Sequence, residues 1–150
     1  IGFVAVFQMV QYSVRSIDVS GERTKATYIA GTIAEDIFAF KNQETSSKTF
    51  VDLLKDNEWK SEKCEEKDAH TFNNATAYEN KIAKWNSRVS KNYLKCVDGT
   101  KDKKNLKVFL MCHSGCPVTK NQSHDKIYAG RMEINMQSGT KKKYLYFQIK

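Results

Sequence analysis

The chain has 150 residues, a formal net charge of +8 and 40% hydrophobic side chains, which suits one domain with a modest hydrophobic core. It contains no phosphate-binding loop, dinucleotide fingerprint or zincin helix. We therefore predict that the protein is not an enzyme and that it uses no cofactor.

The first forty residues have the pattern of one long helix. Residues 1–10 are apolar nearly all round, and the apolar positions then narrow to a helical stripe at Val10, Val14, Ile17, Ala26, Ile29, Ala30, Ile33, Ile37 and Phe38. At ~1.5 Å per residue such a helix is roughly 60 Å long, too long to be buried within a domain of this size. We expect residues 1–10 to be exposed and Ile29, Ile33 and Ile37 to be buried. The alternative is a helix whose apolar tip docks on its own domain.

Two shorter helices are predicted after the long one. Residues 50–59 and 76–90 carry apolar side chains at steps of three and four. Residues 61–75, which include Cys64, are charged and irregular and are predicted to form a loop.

The C-terminal part of the chain is predicted to form a sheet. Four strands are expected, over residues 92–97, 106–112, 126–137 and 143–149. Turn signals at Asp98-Gly99 and Ser138-Gly139 make the connections short, and short connections imply antiparallel pairing. The alternation of apolar residues slips near Gly130, which predicts a bulge. The predicted fold class is therefore α+β, with the stripe of the long helix covering one face of the sheet.

This order of elements resembles that of type IV pilins and of type II secretion pseudopilins. Three segments are similar to minor pilins of the PilV type, namely IGFVAVFQMVQYSVRS, TKATYIAGTIAEDIFAF and ENKIAKWNSRVS. They look like the second half of the apolar segment, the end of the first helix and the Trp-bearing helix before the sheet. The prepilin cleavage motif is absent, because no carboxylate follows Gly2-Phe3. The mature start is therefore expected roughly fifteen to twenty residues upstream, the deficit from a full membrane span.

The resemblance implies a pilin-like α+β fold, with a long N-terminal α-helix packed on a C-terminal antiparallel β-sheet of about four strands. Residues 1–20 would be the remainder of the apolar filament or membrane helix, and residues 21–150 the globular head. Within the head, residues 41–90 would form a helical and loop region, and residues 91–150 the sheet.

The resemblance also implies a function and partners. The chain would be a minor pilin or pseudopilin subunit acting in pilus assembly, adhesion or surface interaction. It would lie in the bacterial inner membrane facing the periplasm before assembly, and then in a pilus on the cell surface. Its partners would be other pilin subunits, with a host surface or DNA as further partners. The side chains expected to pack in the filament are Ile1, Phe3, Val4, Phe7 and Val10.

Four cysteines follow the long helix, Cys64, Cys96, Cys112 and Cys116. An even count after a membrane-like start favours two disulfides formed in an oxidising compartment, and four free thiols in a cytosolic protein are the alternative. Three pairings are possible. We favour Cys64 with Cys96, which closes the irregular middle onto the sheet, and Cys112 with Cys116.

A metal site is the competing interpretation of the last two cysteines. Four zinc ligands are available from Cys112, His113, Cys116 and His124. The gap of three residues between the cysteines and the adjacent histidine match no common zinc site. We therefore predict no metal site.

Basic residues cluster at two predicted turns of the sheet. The candidate ligand surface consists of Lys101, Lys103, Lys104, Lys141, Lys142 and Lys143. Both clusters would lie at the same end of the sheet and sum their fields toward DNA, anionic lipid or an acidic partner. The alternative function is thus an extracytoplasmic binding module that uses these turns to bind DNA or another anionic ligand. The simpler interpretation is that these lysines keep the sheet edges soluble.

Overall fold

The computed structural model describes residues 2–62, 64–65, 75–111 and 127–150, with side chains in the first helix from Val4 onward. Three helices and six strands are described, in the order α1 Gly2–Phe40, β1 Glu44–Thr45, β2 Lys48–Thr49, α2 Phe50–Asp56, β3 Trp59–Ser61, α3 Ala77–Arg88, β4 Lys104–Leu110, β5 Tyr128–Met136 and β6 Lys141–Ile149. The long helix packs on a four-stranded antiparallel sheet, which confirms the predicted α+β class.

Helix α1 is continuous because no proline interrupts it, and its two halves have different surroundings. The C-terminal half buries a stripe at helical spacing, with Ala26, Ile29, Ala30, Ile33 and Ile37 in the core as predicted. The N-terminal half extends beyond the head and leaves its apolar side chains exposed. The division predicted from the hydrophobic pattern is therefore present in the structure.

The main sheet has the strand order β3-β4-β5-β6, and all neighbouring strands are antiparallel. Its inner face supplies the core side chains Leu106, Val108, Met132, Ile134 and Ile149. In β6 the predicted alternation holds, since Tyr144 and Tyr146 are exposed on the outer face. The inner face of β6 contacts α1 through Phe147, whose ring centroid lies 5.9 Å from that of Phe38 in an edge-to-face arrangement.

The two short helices close one side of the core. Helix α3 begins with a capping box, in which the Glu79 backbone N–H donates to Thr76 Oγ1 and the Thr76 N–H donates to the Glu79 carboxylate. The Trp85 ring on α3 lies edge-to-face against Phe50, at 6.1 Å, and Trp59, at 6.0 Å. These aromatic contacts fix α2, β3 and α3 to one another beneath α1.

The prediction of a strand over residues 92–97 is wrong. Leu94 and Cys96 are buried between exposed neighbours, so the alternation is present, but the backbone makes no strand pairing. The Leu94 N–H instead donates to the Ser90 carbonyl at 3.1 Å, and the N–H of Lys95 to Glu22 Oε2 at 3.0 Å. Carboxylate and turn acceptors thus satisfy donors that a strand would give to a neighbouring strand.

The fourth strand is β3, within a segment predicted to end a helix, so the sheet is not confined to residues 91–150. Helix α2 stops at Asn57, where the backbone becomes extended after its N–H has made the last helical hydrogen bond, to the Leu53 carbonyl. Trp59 then pairs with Leu106 and inserts its ring into the core. The Trp59 indole N–H donates to Asn86 Oδ1 at 3.0 Å, which satisfies its polar atom.

The prediction of a bulge at Gly130 is also wrong. Pairing runs without interruption through Val108, Gly130 and Phe147. The glycine is needed because the Phe147 ring covers its α-carbon, and an added Cβ would overlap three ring atoms. The small residue thus marks a close approach of a side chain to the sheet.

We expect Gly130→Ala to destabilise the head by about 1–3 kcal/mol, the usual cost of overpacking a core. Chemical denaturation would measure this. Gly31→Ala is the control, because nothing lies within 4 Å of a Cβ built there, and alanine in a helix interior should stabilise by ~0.5–1 kcal/mol. Equal effects of the two substitutions would contradict the role assigned to Phe147.

Candidate functional site

The most extensive group of exposed apolar side chains in the described part of the chain lies on α1 over residues 4–17. We call it the N-terminal helix surface. Its exposed large side chains are Val4, Val6, Phe7, Met9, Val10, Tyr12, Val14 and Ile17. Phe7 is 55% exposed and Ile17 is 72% exposed, so this surface does not dock on its own head. Of the predicted filament residues, Val4, Phe7 and Val10 lie here, whereas Ile1 and the side chain of Phe3 are outside the described residues.

This surface projects from a firmly attached helix. Within the part of the chain that the structure describes, no helix combines the length and apolar character needed to cross a membrane. Further along α1, Glu22 is buried and its carboxylate accepts hydrogen bonds from the Lys95 backbone and from Lys25 Nζ. Asp18 pairs with Lys95 at the same level. The attachment to the head therefore begins at Asp18, directly after Ile17, and continues at Glu22 about one turn further along the helix.

A second polar anchor joins α1 to α3 around Asp36. Its carboxylate accepts hydrogen bonds from Lys81 Nζ at 2.7 Å, Lys84 Nζ at 3.0 Å and the Trp85 indole N–H at 3.0 Å. Burial alone would raise the pKa of Asp36, but these three donors hold the pKa below its ordinary value. The cluster is fully partnered, and its chemistry is that of a structural cross-link.

The two predicted lysine clusters meet at one end of the sheet but do not form one surface. Lys104 is opposite Ile134, which is opposite Lys143, so the shared end is confirmed by the strand register. Within β6, however, Lys142 is exposed on the outer face, while Lys141 and Lys143 are half-buried on the inner face. The alternation of the strand divides consecutive lysines between two faces.

Lys104 is not a surface residue, which corrects its place in the predicted ligand surface. It is 1% exposed, and its Nζ lies 3.6 Å from Cys96 Sγ. Burial lowers the pKa of Lys104, and the negative charge of Asp102 partly opposes this shift. The sequence around it is almost wholly polar, so hydropathy gives no sign of the burial.

Asp102 organises the loop that covers this lysine. Its buried carboxylate accepts hydrogen bonds from the backbone N–H groups of Val97 at 2.9 Å and of Gly139 at 3.1 Å. One side chain thus joins the 97–102 loop to the turn between β5 and β6, in which Gly139 has a positive φ of 77°. Lys101 remains exposed and pairs with Asp98 at 3.4 Å.

The disulfide between Cys64 and Cys96 is present, with a Cα–Cα distance of 5.4 Å, and confirms the first favoured pairing. It ties the segment after β3 to the loop that Asp102 organises. The second predicted pair, Cys112 with Cys116, lies outside the described residues, as do His113 and His124 of the zinc alternative.

A groove lies between α1 and the turn that joins β5 to β6. We call it the cationic groove and define it by Tyr12, Arg15, Arg23, Gln137 and Lys141, with smaller side chains of α1 between them. Its volume is about 430 Å³. Three of its lining residues are cations and none is a carboxylate. This site was not predicted from the sequence, because its basic residues are scattered along the chain and only the fold brings Lys141 to α1.

Comparisons of the chain with protein-family models, with curated proteins and with solved structures found no match.

Proposed function

We propose that the protein is a pilin-like subunit that assembles into a filament through its N-terminal helix surface. The observation that supports this most directly is the exposure of eight large apolar side chains on one protruding helix. Exposed apolar patches of this extent mark interaction sites in soluble proteins. The occupant is a second copy of the same helix, since a helix that is apolar nearly all round at its start is suited to packing among identical neighbours.

The division of α1 supports the same proposal. Its C-terminal half is fixed by the core stripe around Ile33 and by the ion pairs of Asp36. The protruding half can therefore pack with other copies without disturbing the head. The outer face of the sheet, including Tyr146, then points away from the helix. This arrangement gives a filament core of helices and an outer layer of heads, with the inner membrane holding the subunit before assembly.

The experiment replaces Phe7 with a photoreactive phenylalanine analogue in the full chain. On irradiation we expect covalent dimers cross-linked to residues 4–17 of a second copy. A matched position is Phe109, which is 47% exposed on the outer sheet face and should yield few dimers. Mapping of the cross-linked peptides by mass spectrometry identifies the partner segment.

A second variant, Phe7→Ser combined with Val10→Ser, should abolish concentration-dependent association in sedimentation velocity while the far-ultraviolet circular dichroism stays unchanged. Its control is Phe109→Ser with Tyr146→Ser, two exposed residues on the sheet. Cross-links from position 7 to the head of the same molecule, or equal loss of association in both double variants, would refute the filament proposal.

A further inference from the structure

The cationic groove overlaps the C-terminal end of the N-terminal helix surface. Tyr12 lines the groove, and Val10, two residues earlier, belongs to the exposed apolar segment. Arg15 and Arg23 follow on the same side of α1, and Lys141 reaches it from β6. The groove therefore joins a surface suited to hydrocarbon with one suited to negative charge.

The cations of this groove form no ion pair within the described part of the chain, although Arg15 also lines an adjoining groove that contains Asp18 and Glu22. Arg15, Arg23 and Lys141 make no ion pair with a carboxylate of the described residues. The nearest acidic residues on α1 are Asp18 and Glu22, but Asp18 pairs with Lys95 and Glu22 with Lys25. Three like charges around one groove repel one another, and a bound anion would remove that repulsion. Guanidinium groups are especially suited to phosphate, which they bind through two parallel hydrogen bonds.

The spacing along α1 matches the layers of a bilayer. Residues 4–14 rise ~15 Å at ~1.5 Å per residue, about half of the ~30 Å hydrocarbon core. Tyrosine is enriched at the boundary between hydrocarbon and headgroups, where Tyr12 would then lie. Arg15 is ~5 Å further along the axis, within the headgroup layer, and Lys141 on the head faces the same groove.

We propose that the cationic groove binds the phosphate group of an anionic phospholipid while residues 4–14 of the N-terminal helix surface are inserted in one leaflet. Arg15 and Lys141 contact the phosphate from the two walls of the groove, and Arg23 adds charge at its far end. This inference rests on the proposed function, because membrane insertion precedes assembly there and uses the same apolar surface.

The test is binding of the full chain to vesicles of phosphatidylcholine alone and of phosphatidylcholine with phosphatidylglycerol, measured by co-sedimentation at low and high salt. We expect binding to both and a strong preference for the anionic vesicles. The variant Arg15→Gln, Arg23→Gln, Lys141→Gln should lose about a hundredfold of that preference, since each basic residue at an anionic membrane surface contributes about fivefold. It should bind neutral vesicles as the parent chain does.

The control is Lys60→Gln, Lys107→Gln, Lys142→Gln, which removes the same formal charge from the outer face of the sheet, where Lys60 and Lys107 pair with Glu58. This control should keep the preference for anionic vesicles. Equal losses in the two triple variants would overturn the groove assignment, because net charge alone would then explain the binding. Binding of inorganic phosphate or of a short DNA duplex to the vesicle-free chain, weakened by the groove substitutions to the same extent, would overturn the lipid assignment.

The outcomes also separate this inference from the filament proposal. Binding to neutral vesicles without any anionic preference would overturn the groove proposal and leave assembly through the helix intact. Failure to bind any vesicle, together with unchanged association of the Phe7→Ser, Val10→Ser variant, would overturn both.

Discussion

Replacement of Ile33 by aspartate should unfold the head. Ile33 is 1% exposed at the centre of the stripe that α1 buries against the sheet. A carboxylate there would have no partner, and burying an unpaired charge costs several kcal/mol. That cost is comparable with the whole stability of a small domain, about 5–15 kcal/mol. Thermal unfolding followed by circular dichroism would show the loss of the cooperative transition.

The control for this substitution lies on the same helix. Ile17→Asp makes the same chemical change at a side chain that is 72% exposed, about four turns away. It should leave the melting temperature of the head nearly unchanged. A cooperative transition in Ile33→Asp at the parent temperature would show that the stripe does not hold α1 to the sheet.

The second large effect is expected at Asp36. In Asp36→Asn the ammonium groups of Lys81 and Lys84 lose their carboxylate partner, and the Lys81 side chain is only 10% exposed. Breaking one side of a buried ion pair costs about 3–5 kcal/mol, and partial exposure of Lys84 places the expected loss near the lower end. Denaturant titration at neutral pH would measure the loss. The exposed pair of Lys48 and Asp56 is the control, and Asp56→Asn should leave the transition midpoint unchanged.

The same cluster predicts how stability depends on pH. The pKa of Asp36 is lowered in the folded state, so its contribution is complete above the unfolded value of ~3.9 and is lost as pH falls through the folded value. The parent chain should therefore lose stability below pH ~4 more steeply than Asp36→Asn does. If the stability of the two proteins fell equally steeply with pH in this range, the role assigned to the Asp36 carboxylate would be contradicted.

The periodic parts of the chain were predictable because one interaction dominates them. The stripe around Ile33 and the alternation along β6 both reflect burial of one face, and both are present in the structure. The Cys64–Cys96 disulfide was also predicted, since it closes the irregular middle onto the sheet.

The failures share a physical cause, which is competition from contacts distant in sequence. Residues 92–97 alternate as a strand does, but Glu22 and Asp102 accept the backbone hydrogen bonds that a neighbouring strand would need. Trp59 follows a helical pattern and yet leaves the helix to pair with Leu106. Local pattern describes what a segment can do, and tertiary partners decide among the options.

The candidate site was predicted in part. Exposure of the apolar helix follows from its length and its apolar start, and so it was expected from sequence. The cationic groove was not expected, because Arg15 and Lys141 are separated by most of the chain and meet only after β6 folds back onto α1. The prediction that Lys104 belongs to a ligand surface was wrong, since this lysine of a polar segment is buried beside Cys96.

The buried stripe on α1 has a mechanical consequence for a subunit held by its helix. From Ala26 to Ile37 the stripe extends ~17 Å along the axis, at ~1.5 Å per residue, parallel to any pull on the N-terminal end. A load along the axis therefore acts on all these contacts simultaneously in shear, together with the ion pairs of Asp36. Just after the end of the helix, Lys41 Nζ donates a hydrogen bond to the backbone carbonyl of Lys150, which follows β6. A pulling force would thus be distributed over many contacts between the helix and the sheet. These contacts would have to break together and not one after another, so the head would resist detachment from its helix.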